Sequence, residues 1–405
     1  MNYREALAWL FGTQQFGIKL GLENIERLLA QLSLPAEAQR IIHVAGTNGK
    51  GSVCAMLDAI CRAQNLRTGL FTSPHLITFR ERIRVDGEMI SEHDVAKGLG
   101  VIRELIQDWQ PHPTFFEIAT ALGLSHFKQE QCSVVILETG MGGRLDATNA
   151  VTPVVSVLTP IDYDHQTWLG NRLEEIAAEK AGIIKPTVPV VSSPQKPAVM
   201  EVIRERAREC EAALQFVAEP YSASAVALVG GHQRENAATA IASLRAAGFP
   251  VEDASIREGL AHVSWPARFQ RWNGRTIIDG AHNPAGVSVL VKTWIETFGD
   301  ERAVILLSVL RDKDAPAIWR PLSRIAKRVI LPRIRSNRAM PTEDLARVIR
   351  SSGDIETQIA PTVTVALDAA RKDAAPTLIT GSLHFAGEAL AVLRGEDDEF
   401  EECAQ

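Results

Sequence analysis

Residues 41–52 run Ile-Ile-His-Val-Ala-Gly-Thr-Asn-Gly-Lys-Gly-Ser, a short apolar stretch that breaks into a glycine-rich turn carrying Lys50 before a helical pattern begins. A strand, a glycine turn and a helix start, in that order, surround an anion with backbone N–H groups and a helix N-terminus, and the lysine adds a point charge. The spelling departs from the common phosphate-loop pattern, which needs glycine at 44 and a hydroxyl at 51. Here those positions are Val44 and Gly51, and the hydroxyl is displaced to Ser52. A mere glycine turn with an exposed lysine would not require the strand before it or the helix after it.

Similar units recur along the chain. Strand-like apolar runs at Ile41–Val44, Val134–Leu137, Val154–Leu158, Val188–Val191, Thr276–Ile278, Val304–Leu307, Val329–Leu331 and Thr377–Thr380 alternate with helical spacing such as Ile25, Leu28, Leu29 and Leu32. This alternation predicts an α/β fold with a mostly parallel sheet, covered on both faces because the runs are nearly continuous. A chain of 405 residues exceeds one ordinary core, so two domains are expected. The aromatic, charged and turn-rich stretch 266–275 marks the boundary. We therefore expect a first domain over 1–270, a smaller one over 275–395, and an acidic, solvated and frayed tail over 396–405. Six carboxylates fall in the seven residues 396–402 and account for much of the net charge of −6. The remainder is close to neutral, which argues against nucleic acid as a partner. No apolar run approaches the ~18 residues of a membrane span, and Met1–Glu5 shows no signal-peptide pattern. The five cysteines at 54, 61, 132, 210 and 403 lack disulfide or zinc spacing. A soluble, cytoplasmic protein is the expectation.

Further turns after apolar runs carry chemistry. Glu138 follows a buried run and precedes Thr139-Gly140-Met141-Gly142-Gly143. A carboxylate there sits at the sheet's carboxyl edge, where such folds bind ligands, and is a hard oxygen donor for Mg²⁺. Asp164 and His165 follow another run and read either as turn caps or as donors to a second cation. Imidazole suits a less oxygen-demanding position. Asn236, near the start of an alanine-rich helix, reads equally as a nucleotide contact or as helix-terminal polarity. Asp279 and His282 open a strand–turn–helix unit. Lys180, by its residues alone, is a helix lysine among glutamates.

Together these motifs resemble the Mur ligase superfamily, and most closely the folylpolyglutamate synthase/dihydrofolate synthase family, from about residue 17 to residue 388. Thr72-Ser73-Pro74-His75-Leu76, Thr114-Phe115-Phe116-Glu117, Arg311-Asp312-Lys313-Asp314 and Gly381-Ser382-Leu383-His384 extend the resemblance. It implies an N-terminal P-loop ATPase domain and a smaller C-terminal Rossmann-like domain. ATP would be bound by Thr47, Asn48, Gly49, Lys50, Gly51 and Ser52, with Asn236, Arg268 and Asp279. Ser73, Glu138 and His165 would hold Mg²⁺, as two ions. Lys180 matches a lysine that becomes carbamylated, and His282 lies in the C-terminal motif. Lys50, Lys180 and His282 are the implied catalytic residues. The pterin would lie along Thr114, Phe115, Phe116, Leu145, Asp146 and Ala147, with the segment Phe11–Gly21. Core packing is an equal reading of the two phenylalanines. Ala267 stands where the family usually has glycine.

The implied reaction is ATP-dependent addition of L-glutamate to a folate, or to dihydropteroate, through an acyl phosphate. The residues do not choose between one activity and both. A monomer is the family expectation. A muropeptide ligase would share the ATPase core, but only about 40 residues precede the phosphate loop, too few for the separate domain that binds a UDP-sugar. A P-loop kinase or nucleotide switch would need neither a glutamate site nor the Asp279–His282 turn.

Overall fold

The computed structural model describes residues 1–16 and 21–402. Gly17–Leu20, part of the N-terminal segment implicated above, and Cys403 lie outside them. The chain divides into two compact units. One comprises Met1–Ser73, Arg80–Ala227 and Arg234–Val263; the other comprises Pro74–Phe79, Leu228–Gln233 and Ser264–Gln405.

The first unit holds an eight-stranded sheet. Its strands are β1 (Arg40–Ala45), β2 (Thr68–Phe71), β3 (Ile83–Val85), β4 (Glu88–Met89), β5 (Val134–Glu138), β6 (Val155–Leu158), β7 (Val190–Ser192) and β8 (Leu214–Phe216). They lie in the order β4-β3-β2-β5-β1-β6-β7-β8, parallel from β2 to β8 and antiparallel at the β2-β3-β4 edge. After β1 the chain moves outward to β2, returns to β5, then continues on the other side at β6. The carboxyl end of β1 is therefore a topological switch point, the position where open α/β sheets bind ligands. Register places Val44 beside Glu138 and Ala45 beside Leu158, so the turns after β1, β5 and β6 emerge at one edge. Helix Phe115–Gln129 begins with a capping box. Thr114 accepts from the Glu117 amide, and Glu117 accepts from the Thr114 amide at 2.7 Å, so each side chain satisfies a donor left over at the helix start.

The second unit holds a six-stranded sheet: β9 (Gln270–Arg271), β10 (Thr276–Ile278), β11 (Ala303–Leu307), β12 (Ala326–Pro332), β13 (Thr357–Ala360) and β14 (Thr377–Thr380), in the order β13-β12-β11-β14-β10-β9. Strand neighbours alternate between two cores. Ile277, Ile305, Leu307, Val329 and Leu378 pack on one face, and Ile278, Val304, Leu306, Ile330 and Ile379 on the other. This two-sided burial is why these strands read as unbroken apolar runs.

The acidic segment departs from the solvated, frayed tail that its charge suggests. Asp397–Glu399 form a 3₁₀ turn, and the Phe400 ring meets His384 edge-on at 5.2 Å. An aromatic side chain among the carboxylates gives the segment an apolar anchor that charge counting overlooks. Among the described residues, no helix is long and apolar enough to cross a membrane.

Candidate active site

The turn after β1 is shaped by glycine and by the turn after β6. Gly49 has φ +88° and serves as N-cap of helix Lys50–Ala63. A Cβ there would lie 2.8 Å from Asn236 Oδ1, so the buried Asn236 amide rests against the loop. The amides of Thr47 and Asn48 both donate to the Pro160 carbonyl, at 3.0 and 3.2 Å. Those two amides therefore brace one turn against another instead of facing an anion. The anion-binding capacity falls to the start of the helix at Lys50, Gly51 and Ser52, where early N–H groups have no intrahelical acceptor. Thr47 Oγ1 donates to the Asp162 carbonyl and accepts from the Asp162 amide, each at 3.0 Å. Gln195 pins the same turn, accepting from the Ile161 amide at 2.9 Å and donating to the Thr159 carbonyl at 3.0 Å.

Two ammonium groups converge on one carbonyl. Lys50 Nζ donates to Gly46 O at 3.2 Å, and Lys180 Nζ donates to the same oxygen at 2.9 Å. Lys180 is buried, at 3% exposure, in helix Leu173–Ala181. Burial and, after it, the positive charge of Lys50 together lower its pKa from 10.5 to about 7, against the opposing pull of Asp164 and Asp146. A lysine near neutrality at physiological pH is a nucleophilic amine.

Ser73 and Glu138 meet as the spacing of their turns implies: the Ser73 amide donates to Glu138 Oε2 at 3.2 Å. His165 sits in the left-handed region at φ +50°, as N-cap of the short helix Gln166–Leu169. Its Nε2 lies 3.9 Å from the buried Asp164 carboxylate. Among the described residues, no three His, Cys, Asp or Glu side chains form a metal cage. One carboxylate and one hydroxyl at a phosphate loop suit Mg²⁺, which takes few protein oxygens and completes its shell with phosphate and water.

The two segments implicated in pterin binding adjoin each other. A Cβ on Gly140 would lie 2.6 Å from the Phe116 ring. Phe115 is buried and stacks on Phe11 at 5.7 Å, an arrangement of core packing. Asp146 orders the glycine turn, accepting from the amides of Gly140 and Met141 at 2.9 Å and from Thr148. Ala147 is buried beside it and Leu145 is half-buried.

In the second unit, Asp279 accepts from the Phe269 amide at 2.8 Å and the Ala281 amide at 2.9 Å. Desolvation raises its pKa despite the nearby Arg268 guanidinium and those two amides. His282 Nδ1 is 2.8 Å from the Gly280 carbonyl, and Arg268 donates to the Ala267 carbonyl at 2.9 Å. Ala267 has φ +55°, the left-handed geometry that makes glycine the usual choice.

A phosphate loop at a switch point, a lysine pair, and an acid–serine contact define a Mur-type ligase core. Residues 44–191 match the Mur ligase middle domain and residues 267–383 the Mur ligase glutamate ligase domain. The chain is 34% identical to the dihydrofolate synthase/folylpolyglutamate synthase of Bacillus subtilis, over 95% of this chain and 97% of that protein. It resembles the Mycobacterium tuberculosis folylpolyglutamate synthase complexed with ADP (TM-score 0.89, 32% identity, 97% and 99% coverage). It also resembles the bifunctional folylpolyglutamate synthase/dihydrofolate synthase of Yersinia pestis complexed with AMPPNP and a manganese ion (TM-score 0.88, 32% identity, 97% and 98% coverage). The chain belongs to the folylpolyglutamate synthase/dihydrofolate synthase family.

Proposed function

We propose that this protein is an ATP-dependent ligase that joins L-glutamate to a folate, with dihydropteroate as a second acceptor, through an acyl phosphate. The observation that carries this reading is the convergence of Lys50 and Lys180 on the Gly46 carbonyl at a helix start. The Lys50 cation at a helix start calls for an anion, which a transferred phosphoryl group supplies, and the Lys180 amine beside it is the group whose charge can change. A carboxylate oxygen attacks the γ-phosphorus and ADP leaves. The glutamate amine then attacks the acyl carbon, phosphate leaves, and the amine loses a proton.

In this reading Lys50 neutralises charge on the transferring phosphoryl group, the helix start at Lys50, Gly51 and Ser52 cradles the phosphates, and Thr47, Asn48 and Gly49 shape the loop that presents it. Asn236, Arg268 and Asp279 position the nucleotide, and His282 serves the same C-terminal turn. Ser73, Glu138 and His165 would hold Mg²⁺, at two positions, and the ion would add charge stabilisation. The neutral form of Lys180 can add carbon dioxide to become a carbamate, exchanging a cation for an anionic oxygen donor beside Lys50. Thr114, Phe116, Leu145, Asp146 and Ala147 would frame the pterin, with Phe115 supporting it from the core. The protein would act as a cytoplasmic monomer.

Purified protein given ATP, Mg²⁺ and L-glutamate tests the reading. ADP release should require either a reduced folate or dihydropteroate. Release with neither acceptor, or without glutamate, would favour a kinase or a simple ATPase and overturn it.

A further inference from the structure

His43 lies in β1 of the first unit, between Leu137 of β5 and Ser156 of β6, and is fully buried. A polar ring is costly there without a partner, and the proposed chemistry does not use it. Its Nε2 lies 2.8 Å from Thr148 Oγ1, and among the described residues Nδ1 has no hydrogen-bond partner. Thr148, also buried, donates its hydroxyl to Asp146 Oδ1 at 2.5 Å and its amide to the same oxygen at 3.0 Å. Asp146 Oδ2 accepts from the Gly140 and Met141 amides, each at 2.9 Å. A chain of hydrogen bonds thus runs from a central strand, through a ring, a hydroxyl and a carboxylate, to the backbone of the glycine turn.

The direction of each bond is set by its neighbour. Asp146 accepts from four donors, as a carboxylate with no proton to give. The Thr148 hydroxyl gives its one proton to that carboxylate, so its oxygen accepts from His43 and Nε2 carries the ring's hydrogen. Burial and, after it, the charge of Lys185 lower the His43 pKa from 6.5 to about 3, which keeps the ring neutral. The far side of the turn is tied elsewhere. The Arg144 amide donates to Glu179 O at 2.7 Å, and Asn149 Nδ2 donates to Arg144 O at 2.9 Å and to Gly182 O at 3.2 Å. Those bonds hold the turn to the helix of Lys180, whereas the Asp146 carboxylate holds Gly140 and Met141. Gly140 is the residue that adjoins the Phe116 ring.

We infer that His43 is a positioning residue for the acceptor site: through the Thr148 hydroxyl it fixes the Asp146 carboxylate, and with it the glycine turn 140–143 that faces the acceptor. The inference rests on the proposed place of Asp146 and its neighbours in framing the pterin. A binding turn without regular structure keeps its shape when side chains behind it lock the groups in front. Here the lock is anchored in a strand that cannot shift without disturbing both of its neighbours. Severing it at His43 leaves Thr148 and Asp146 in place but free to turn, so the loss falls on acceptor binding and appears in KM for the acceptor.

Steady-state kinetics with dihydropteroate or a reduced folate, ATP and L-glutamate varied in turn separate the outcomes. His43→Leu should raise KM for the acceptor ~3–10-fold, the weight of one hydrogen bond. KM for ATP and for glutamate should stay within ~2-fold of wild type, since neither substrate loses that bond. His43→Gln places an amide N–H near the position of Nε2 and should restore the acceptor KM to within ~2-fold. Where His43→Leu does not fold, His43→Asn, whose amide is too short to reach Thr148, takes its place. Thr148→Val breaks the chain one link further on and should raise the acceptor KM at least as much, with Thr148→Ser close to wild type. An acceptor KM raised in Asp146→Ala but unchanged in His43→Leu would overturn the role of His43 alone. An equal rise in the ATP KM of His43→Leu would mark a general disturbance of β1 and overturn it too. An unchanged acceptor KM in Asp146→Ala would overturn the placing of the acceptor at this turn, and the role of His43 with it.

Discussion

Each unit places an ionisable group in a turn or helix at the end of a parallel strand, Lys180 buried and Asp279 half-buried, yet the two are stabilised in opposite ways. Asp279, after β10, collects two backbone amides that fix the turn from Phe269 to Ala281. Lys180 donates to a carbonyl that it shares with a second lysine, and its charge is disfavoured by both burial and that neighbour. A carboxylate bonded to amides holds its own fold together, whereas two lysines on one oxygen oppose each other's charge and keep one amine reactive. The comparison predicts that removing the lysines costs activity and removing the aspartate costs stability.

The largest effect should come from Lys50→Ala. Loss of such a charge in a phosphoryl-transfer site typically lowers the rate ~10²–10³-fold, and the melting temperature should stay near that of wild type. A variant with near-normal acceptor-dependent ADP release would remove Lys50 from the chemistry.

Lys180→Met should also abolish most activity while separating the two roles by pH. In the unfolded chain Lys180 keeps its proton up to 10.5, but in the fold it loses it at about 7. Between those values the unfolded state binds more protons, so stability rises with pH through this window. Below about pH 7 both states are protonated and the buried charge is fully unfavourable. In bicarbonate-free buffer, denaturant titration should therefore show Lys180→Met most stabilised relative to wild type at neutral pH and less so near pH 10 (as the lysine's own ~10.4 reference value is approached). A pH-independent difference would contradict a neutral buried amine. Full activity from an enzyme whose mass shows unmodified Lys180 would reject the carbamate.

Asp279→Ala should act the other way. It leaves the Phe269 and Ala281 amides without their acceptor, a loss of roughly 1–3 kcal/mol for each group that water does not reach, readable in urea. Wild-type stability with lost nucleotide affinity would make the residue purely a ligand contact. The smallest effect is expected at Ala267→Gly. Relief of a left-handed alanine is worth about 1 kcal/mol, and the lost buried methyl offsets most of it at ~0.8 kcal/mol. A large loss of stability there would show that the methyl's packing outweighs the strain.

What the sequence made legible follows the same division between backbone pattern and three-dimensional burial. All eight apolar runs became strands, because two-sided burial demands unbroken apolar residues. The strands that escaped notice are short or half-exposed: β3, β4 and β9 have two or three residues, β8 and β13 are sheet edges, and β2 is four residues with an internal glycine. Gly49 and Gly140–Gly143 announced their turns, since glycine marks unusual backbone. Lys180 did not announce itself, because its helix carries three glutamates and reads as a solvated face. Its burial depends on the loop after β1. The bracing roles of Pro160 and Gln195 left no signal, since Pro160 acts through its backbone carbonyl and Gln195 lies outside the turn that its side chain pins. Phe400 was visible as a residue but was outweighed by the six carboxylates around it.

The central claim is that a phosphate from ATP activates the acceptor's carboxylate. Labelling that carboxylate with a heavy oxygen isotope and analysing the released phosphate by mass spectrometry tests it directly. An acyl phosphate predicts one labelled oxygen in each phosphate released per amide formed. Amide product accompanied by unlabelled phosphate would contradict the account.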